Sequence, residues 1–153
     1  MTDEYRHRTR VQVRFRDVDA FGHVNNAVFS SYVELARIRY LLDVLQPDEP
    51  FDRLPLILAR AELDYRSPIA FGEEVEVDTR IDRIGRTSFA MSHRMTAGPD
   101  ARLAGDVQTV LVAYDYQAAR PIPVPDAWRA RIADHEGRNL DSDARRPAST
   151  TAS

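Results

Sequence analysis

The chain has 153 residues, 43% hydrophobic and 29% charged, with a formal net charge of −3. That length suits one domain with a real core. The balance shows no bias toward nucleic acid or anionic membrane, and the longest apolar runs are far too short to cross a bilayer. No cysteine is present, which excludes disulfides, thiolate metal ligands and thiol nucleophiles and makes a reducing cytoplasm the expected location.

Residues 1–10 are polar and Arg-rich with no apolar run behind them, unlike a secretory leader. Residues 9–16 alternate strictly, with Val11, Val13 and Phe15 on one face, and predict a half-buried strand. A loop follows over 17–25. Residues 26–45 lack Pro and Gly and end before Gln46-Pro47, which predicts a helix of about 30 Å. It is apolar nearly all round, as a helix buried on most sides would be. The exception is a stripe of Asn26, Ser30, Glu34 and Arg37, read either as a pocket lining or as a solvated edge with a Glu34/Arg37 pair.

Four further strands are predicted over 56–66, 73–83, 87–95 and 103–116, the first with Ile57, Ala59, Ala61, Leu63 and Tyr65 on one face against Arg60, Glu62, Asp64 and Arg66, the last apolar on both faces and therefore central. Turn residues around Ser67-Pro68, Phe71-Gly72, Gly85-Arg86 and Gly98-Pro99-Asp100 separate them. Pro121, Pro123 and Pro125 are expected to end the sheet. A short helix over 127–135, anchored by Trp128, closes a single domain of residues 1–136. Residues 137–153, rich in Ser, Thr, Ala and Arg, are expected to form a disordered tail. The order predicts an α+β fold: a curved antiparallel sheet of about five strands around one long buried helix.

The loop carries the chemistry. Asp17-Val18-Asp19-Ala20-Phe21-Gly22-His23-Val24-Asn25-Asn26 aims two carboxylates and a histidine at a helix N-terminus. The carboxylate can serve as base or nucleophile, and the unpaired amides of the first turn can hold an oxyanion. Asp19 could also be a turn residue or a cap. Asp17 is the second candidate acid, or a brace paired with Arg14 or Arg16. His7, His93 and His135 are isolated and show no metal-ligand spacing. All 21 basic residues are arginine, so any cationic contact to phosphate is made by a guanidinium.

This loop, with Phe29, Tyr32 and Glu34 after it, resembles the signature of hot-dog-fold acyl-CoA thioesterases of the 4-hydroxybenzoyl-CoA thioesterase-like branch. Leu63-Asp64-Tyr65-Arg66-Ser67-Pro68-Ile69 with Gly72, and Ile84-Gly85-Arg86-Thr87-Ser88-Phe89, are similar to the same branch. The resemblance covers about residues 8–117. It implies the hot-dog fold, an acyl-CoA substrate, no cofactor or metal, and a homodimer or homotetramer with sheets paired edge to edge and active sites at that interface. The family acid falls on Asp19 and the oxyanion amide on Asn26. His23 is an orienting or loop-bracing group with a lesser claim on acid/base work, because its spacing from Asp19 is one residue short of the hot-dog hydratase pattern.

The side chains of Asn25 and Asn26 are expected caps. Tyr32, Glu34, Tyr65, Arg66, Ser67, Pro68, Arg86, Thr87 and Ser88 form the expected substrate-binding set, with Arg66 and Arg86 the preferred phosphate partners. Tyr32, Phe29 and Phe21 are read first as core, with flanking of the acyl group as the lesser reading. A non-catalytic acyl-thioester binding or sensing module is the alternative function, and the carboxylate at Asp19 argues against it.

Overall fold

The structure, a computed structural model, describes residues 4–142. Among them, β1 (His7–Gln12), α1 (Asn26–Leu45), β2 (Leu56–Tyr65), β3 (Glu74–Ile84), β4 (Ser88–Ala97), β5 (Arg102–Asp115), β6 (Arg120–Pro121) and α2 (Asp126–Glu136) follow in chain order. The strands form one antiparallel sheet in the order β1-β3-β4-β5-β2, and the two-residue β6 pairs with β5 beyond the expected end of the sheet. The sheet curls around α1, which is the hot-dog fold.

Helix α1 starts and stops where its sequence dictates. The Asn25 side chain caps it by accepting from the Ala27 N–H, and Gln46 ends it in the left-handed region ahead of Pro47. Its buried residues, Phe29, Tyr32, Val33, Ala36, Tyr40, Leu41, Val44 and Leu45, recur at helical spacing and form one face against the sheet. The burial on most sides expected from composition is not observed, because Leu35 and Leu42 are exposed.

Two apolar clusters flank the sheet's middle. One gathers Phe29, Val33, Val77 and Met95, the other Tyr40, Leu45, Phe89 and Trp128, which anchors α2 as expected. Between them His93 spans Thr79 Oγ1 and Thr109 Oγ1, each 3.1 Å from a ring nitrogen. Burial, aided by the nearby Arg37 charge, pushes its pKa down to about 3, so the ring is neutral.

Three expectations are corrected. The first strand stops at Gln12 instead of running to 16, because Phe15–Asp17 closes into a 3-10 turn and leaves Phe15 84% exposed. In β2 a register shift between Leu58 and Arg60 re-phases the strand, so Leu56 and Leu58 share the α1 side with Leu63 and Tyr65. The expected tail begins too early. Leu140 is buried, its carbonyl accepts from the Ile84 N–H at 2.8 Å, and the Ser142 N–H donates to the Ile84 carbonyl at 2.8 Å. The rest of the expected tail, 143–153, lies outside the described residues.

Leu140→Ala should therefore cost about 2–5 kcal/mol, the range for emptying a buried leucine site. Truncation after Glu136 should cost at least as much. An unchanged urea midpoint in both would return residues 137–142 to the tail.

Candidate active site

The loop between β1 and α1 is built around Asp17. Its carboxylate is 2% exposed and accepts from the Arg14 N–H (2.9 Å), the Arg14 guanidinium (3.0 Å) and the Tyr32 hydroxyl (2.8 Å). These hydrogen bonds and the Arg14 charge outweigh desolvation, the largest opposing effect, and hold its pKa below the ordinary carboxylate range. The Asp17 carbonyl also accepts from the Asn25 N–H at 2.8 Å. Asp17 thus braces the loop from within, by pairing with Arg14.

Asp19 stands at the exposed tip. Its Oδ1 accepts from the Phe21 N–H (2.9 Å) and the His23 N–H (3.3 Å), an Asx turn closed by the Gly22 N–H on the Asp19 carbonyl (3.1 Å). Gly22 supplies the φ of +83° that this turn requires. The turn reading of Asp19 therefore holds for one oxygen. Oδ2 makes no hydrogen bond among the described residues, on a residue that is exposed to solvent.

The first amides of α1 are almost all used. Asn25 N–H goes to Asp17, Ala27 N–H to the Asn25 side chain, and Val28 N–H to the Asn25 carbonyl at 2.8 Å. The Asn26 N–H has no acceptor among the described residues. It points out of a helix end that carries roughly half a unit of positive charge. Only Asn25 caps through its side chain; Asn26 is exposed and contributes backbone.

The other expected residues divide into groups. The His23 ring is exposed and has no hydrogen-bond partner among the described residues; its backbone does the bracing, through Asp19 and a bridge to Ala70. Tyr32, expected to touch substrate, is buried with its hydroxyl committed to Asp17, which together with burial raises its pKa. Tyr65 lies edge-on to Phe29 and donates to the Asn26 carbonyl at 3.1 Å, next to the free amide. Ser67 Oγ and the Pro68 carbonyl are tied to Arg102, which also pairs with Glu73. Arg66 is paired with Asp106 at 3.0 Å, whereas the Arg86 side chain is exposed and unpaired among the described residues.

Arg86, Thr87 and Ser88 do not join the rest within the chain. Ser88 registers with Val112 of β5, whereas Tyr65 registers with Gly105 at the other end of that strand. Seven residues of strand separate them, roughly 24 Å. Glu34 lines a pocket of about 290 Å³ with Arg37, Leu56 and Leu58, whose β2 residues register with the Ser88 end of β5.

Sequence reading missed two features. Phe15, Phe21 (86% exposed) and Phe71 form an exposed aromatic rim around the Asp19 loop, with Phe15 and Phe71 edge to face at 6.0 Å. The signal is present as aromatics inside a polar turn, but Phe15 fits a strand period and Phe21 a core. The half-burial of Arg37 is the second. Among the described residues no three His, Asp or Glu side chains gather as a metal site.

Known proteins share this fold and are similar to this chain in sequence. The Thioesterase-like superfamily profile matches residues 13–132. A thioesterase from Thermus thermophilus, crystallised with coenzyme A and Zn, is 45% identical and superposes with a TM-score of 0.80, covering 91% of this chain and 100% of that one. A predicted thioesterase from Bacillus stearothermophilus is 28% identical with a TM-score of 0.77, over 84% of this chain and 95% of that one. By sequence, the Escherichia coli long-chain acyl-CoA thioesterase FadM is 20% identical over 129 residues, 81% of this chain and 95% of the relative.

Proposed function

The chain belongs to the thioesterase-like superfamily and is a thioester hydrolase, and we propose that it cleaves acyl-CoA thioesters with Asp19 and the Asn26 amide as its chemical groups. The observation that carries this is the pairing of one free carboxylate oxygen, Asp19 Oδ2, with one free helix amide in the same braced loop. The relatives support the acyl-CoA class, since one was crystallised with coenzyme A and another is named for acyl-CoA.

In the proposed reaction the thioester carbonyl oxygen accepts from the Asn26 N–H. Either Asp19 takes a proton from the water that attacks the carbonyl carbon, or Asp19 attacks it and forms a mixed anhydride that a water then hydrolyses, restoring the carboxylate. The C–S bond breaks, coenzyme A leaves as thiolate and is protonated by solvent, and the free acid remains. Loss of one oxyanion donor of this kind costs on the order of 3 kcal/mol of barrier. Arg86, unpaired, is the stronger candidate for the coenzyme A phosphates; Arg66 already neutralises Asp106.

The site is completed by a homodimer. Strand β2 is a long edge with Ile57, Leu58 and Tyr65 exposed, the kind of edge that a monomer leaves open to aggregation. The opposite edge, β1, is six residues long and carries Arg8 and Arg10, which blunt it. Two-fold antiparallel pairing of β2 sets the Tyr65 end of one protomer against the Leu56 end of its partner. That brings an Arg86 turn to each Asp19 loop.

Release of coenzyme A thiol from a panel of aryl, short, medium and long acyl thioesters tests the activity. No release from any of them would defeat it. Light scattering at micromolar concentration should give at least twice the chain mass, and an active monomer would defeat the assembly.

A further inference from the structure

The pocket between the second half of α1 and β2 has a wall the hydrolysis steps do not use. Ile38, Leu41, Leu54, Leu56, Leu58 and Leu111 make it apolar. Arg37 enters this lining half-buried, with no hydrogen bond and no ion pair among the described residues. Burial is the main effect on its guanidinium and lowers its pKa; Glu34, one turn earlier, opposes this. The acids of the pocket, Glu34 and Asp52, are exposed and therefore solvated at the rim. Beneath Arg37 the sheet offers the neutral imidazole of His93, not a carboxylate.

A guanidinium partly withdrawn from water without a partner loses hydration, and an anion bound there offsets that loss through charge-assisted, bidentate hydrogen bonds. The polar stripe Asn26, Ser30, Glu34, Arg37 leads from the oxyanion amide to this pocket over eleven helical residues, about 16 Å. In a dimer paired through β2 the pocket also lies against the partner's helix N-terminus.

We propose that this pocket receives the far end of the acyl group and that Arg37 selects thioesters whose acyl chain ends in a carboxylate. The inference rests on the hydrolase reading above and adds the substrate class. Apolar walls hold the methylene chain, and the guanidinium holds its terminal carboxylate.

The test uses the full chain with hexanoyl, octanoyl, decanoyl and dodecanoyl coenzyme A and their ω-carboxylated counterparts. At one or more lengths the carboxylated member should show a kcat/KM at least ~10-fold higher, as expected of a hydrogen bond to a charged group. Arg37→Met should reverse that order, Arg37→Lys should keep part of it, and Glu34→Gln should widen it. A wild-type enzyme that favours the apolar member at every length overturns the proposal whether or not the Met variant folds. So does a folded Arg37→Met protein with wild-type preference.

Thiol release from none of the eight substrates would instead tell against the hydrolase reading. Calorimetry of the free dicarboxylic and monocarboxylic acids then still reads the pocket. Tighter binding of the dicarboxylic acids, lost in Arg37→Met, supports the assignment, and equal or weaker binding overturns it.

Discussion

Asp19→Asn is expected to lower kcat by at least ~100-fold, the usual cost of removing a positioned base or nucleophile. The amide keeps an oxygen for the Phe21 and His23 N–H groups that Oδ1 now receives, so the turn survives and the melting temperature should change little. What is lost is the negative charge at Oδ2. KM should move less than kcat, because the charge acts on the developing transition state more than on bound substrate. A folded Asp19→Asn protein with near wild-type turnover would remove Asp19 from the mechanism and put Asp17 forward in its place.

Asp17→Ala should damage the same activity by a different route. The substitution leaves the buried Tyr32 hydroxyl and the Arg14 N–H without their acceptor, at a cost of about 2–3 kcal/mol and a melting temperature lower by roughly 5–10 °C. The loop that carries Asp19 loosens, so activity falls together with stability, and Tyr32→Phe should show a smaller version of both. The native pKa of Asp17 lies below its unfolded value. Its contribution is therefore complete at neutral pH and is lost as pH falls through the native pKa. Wild type and Asp17→Ala should converge in melting temperature in strong acid. An activity loss in Asp17→Ala with unchanged melting would mark it as the acid that reacts.

The two carboxylates illustrate what a motif leaves open. Asp17 and Asp19 are two residues apart in one polar stretch, and no spacing rule says which of them is sealed and which is left open to solvent. Burial separates them: Tyr32, fifteen residues on, returns one helical face to Asp17 and seals it, while the Gly22 turn holds Asp19 outside. Tyr32 misleads for the same reason. Its position in the motif suggests ligand contact, yet its hydroxyl is directed at the loop.

By itself the sequence determined the fold class, the helix over 26–45 and the run of strands after it. These depend on local period, capping and the avoidance of Pro and Gly, all of which are written in consecutive residues. It also determined that a carboxylate-bearing loop leads into a capped helix, because that is a local arrangement. The tertiary structure decided the rest. Phe15 left the strand because Asp17 found Arg14 and Tyr32, and Leu140 left the expected tail because β3 offered it backbone partners and a core. It also decided that β2 is an edge and that the turns at Tyr65 and Arg86 lie at opposite ends of the sheet. Those outcomes depend on strand order, on which residues bury one another, and on contacts between positions far apart in the chain.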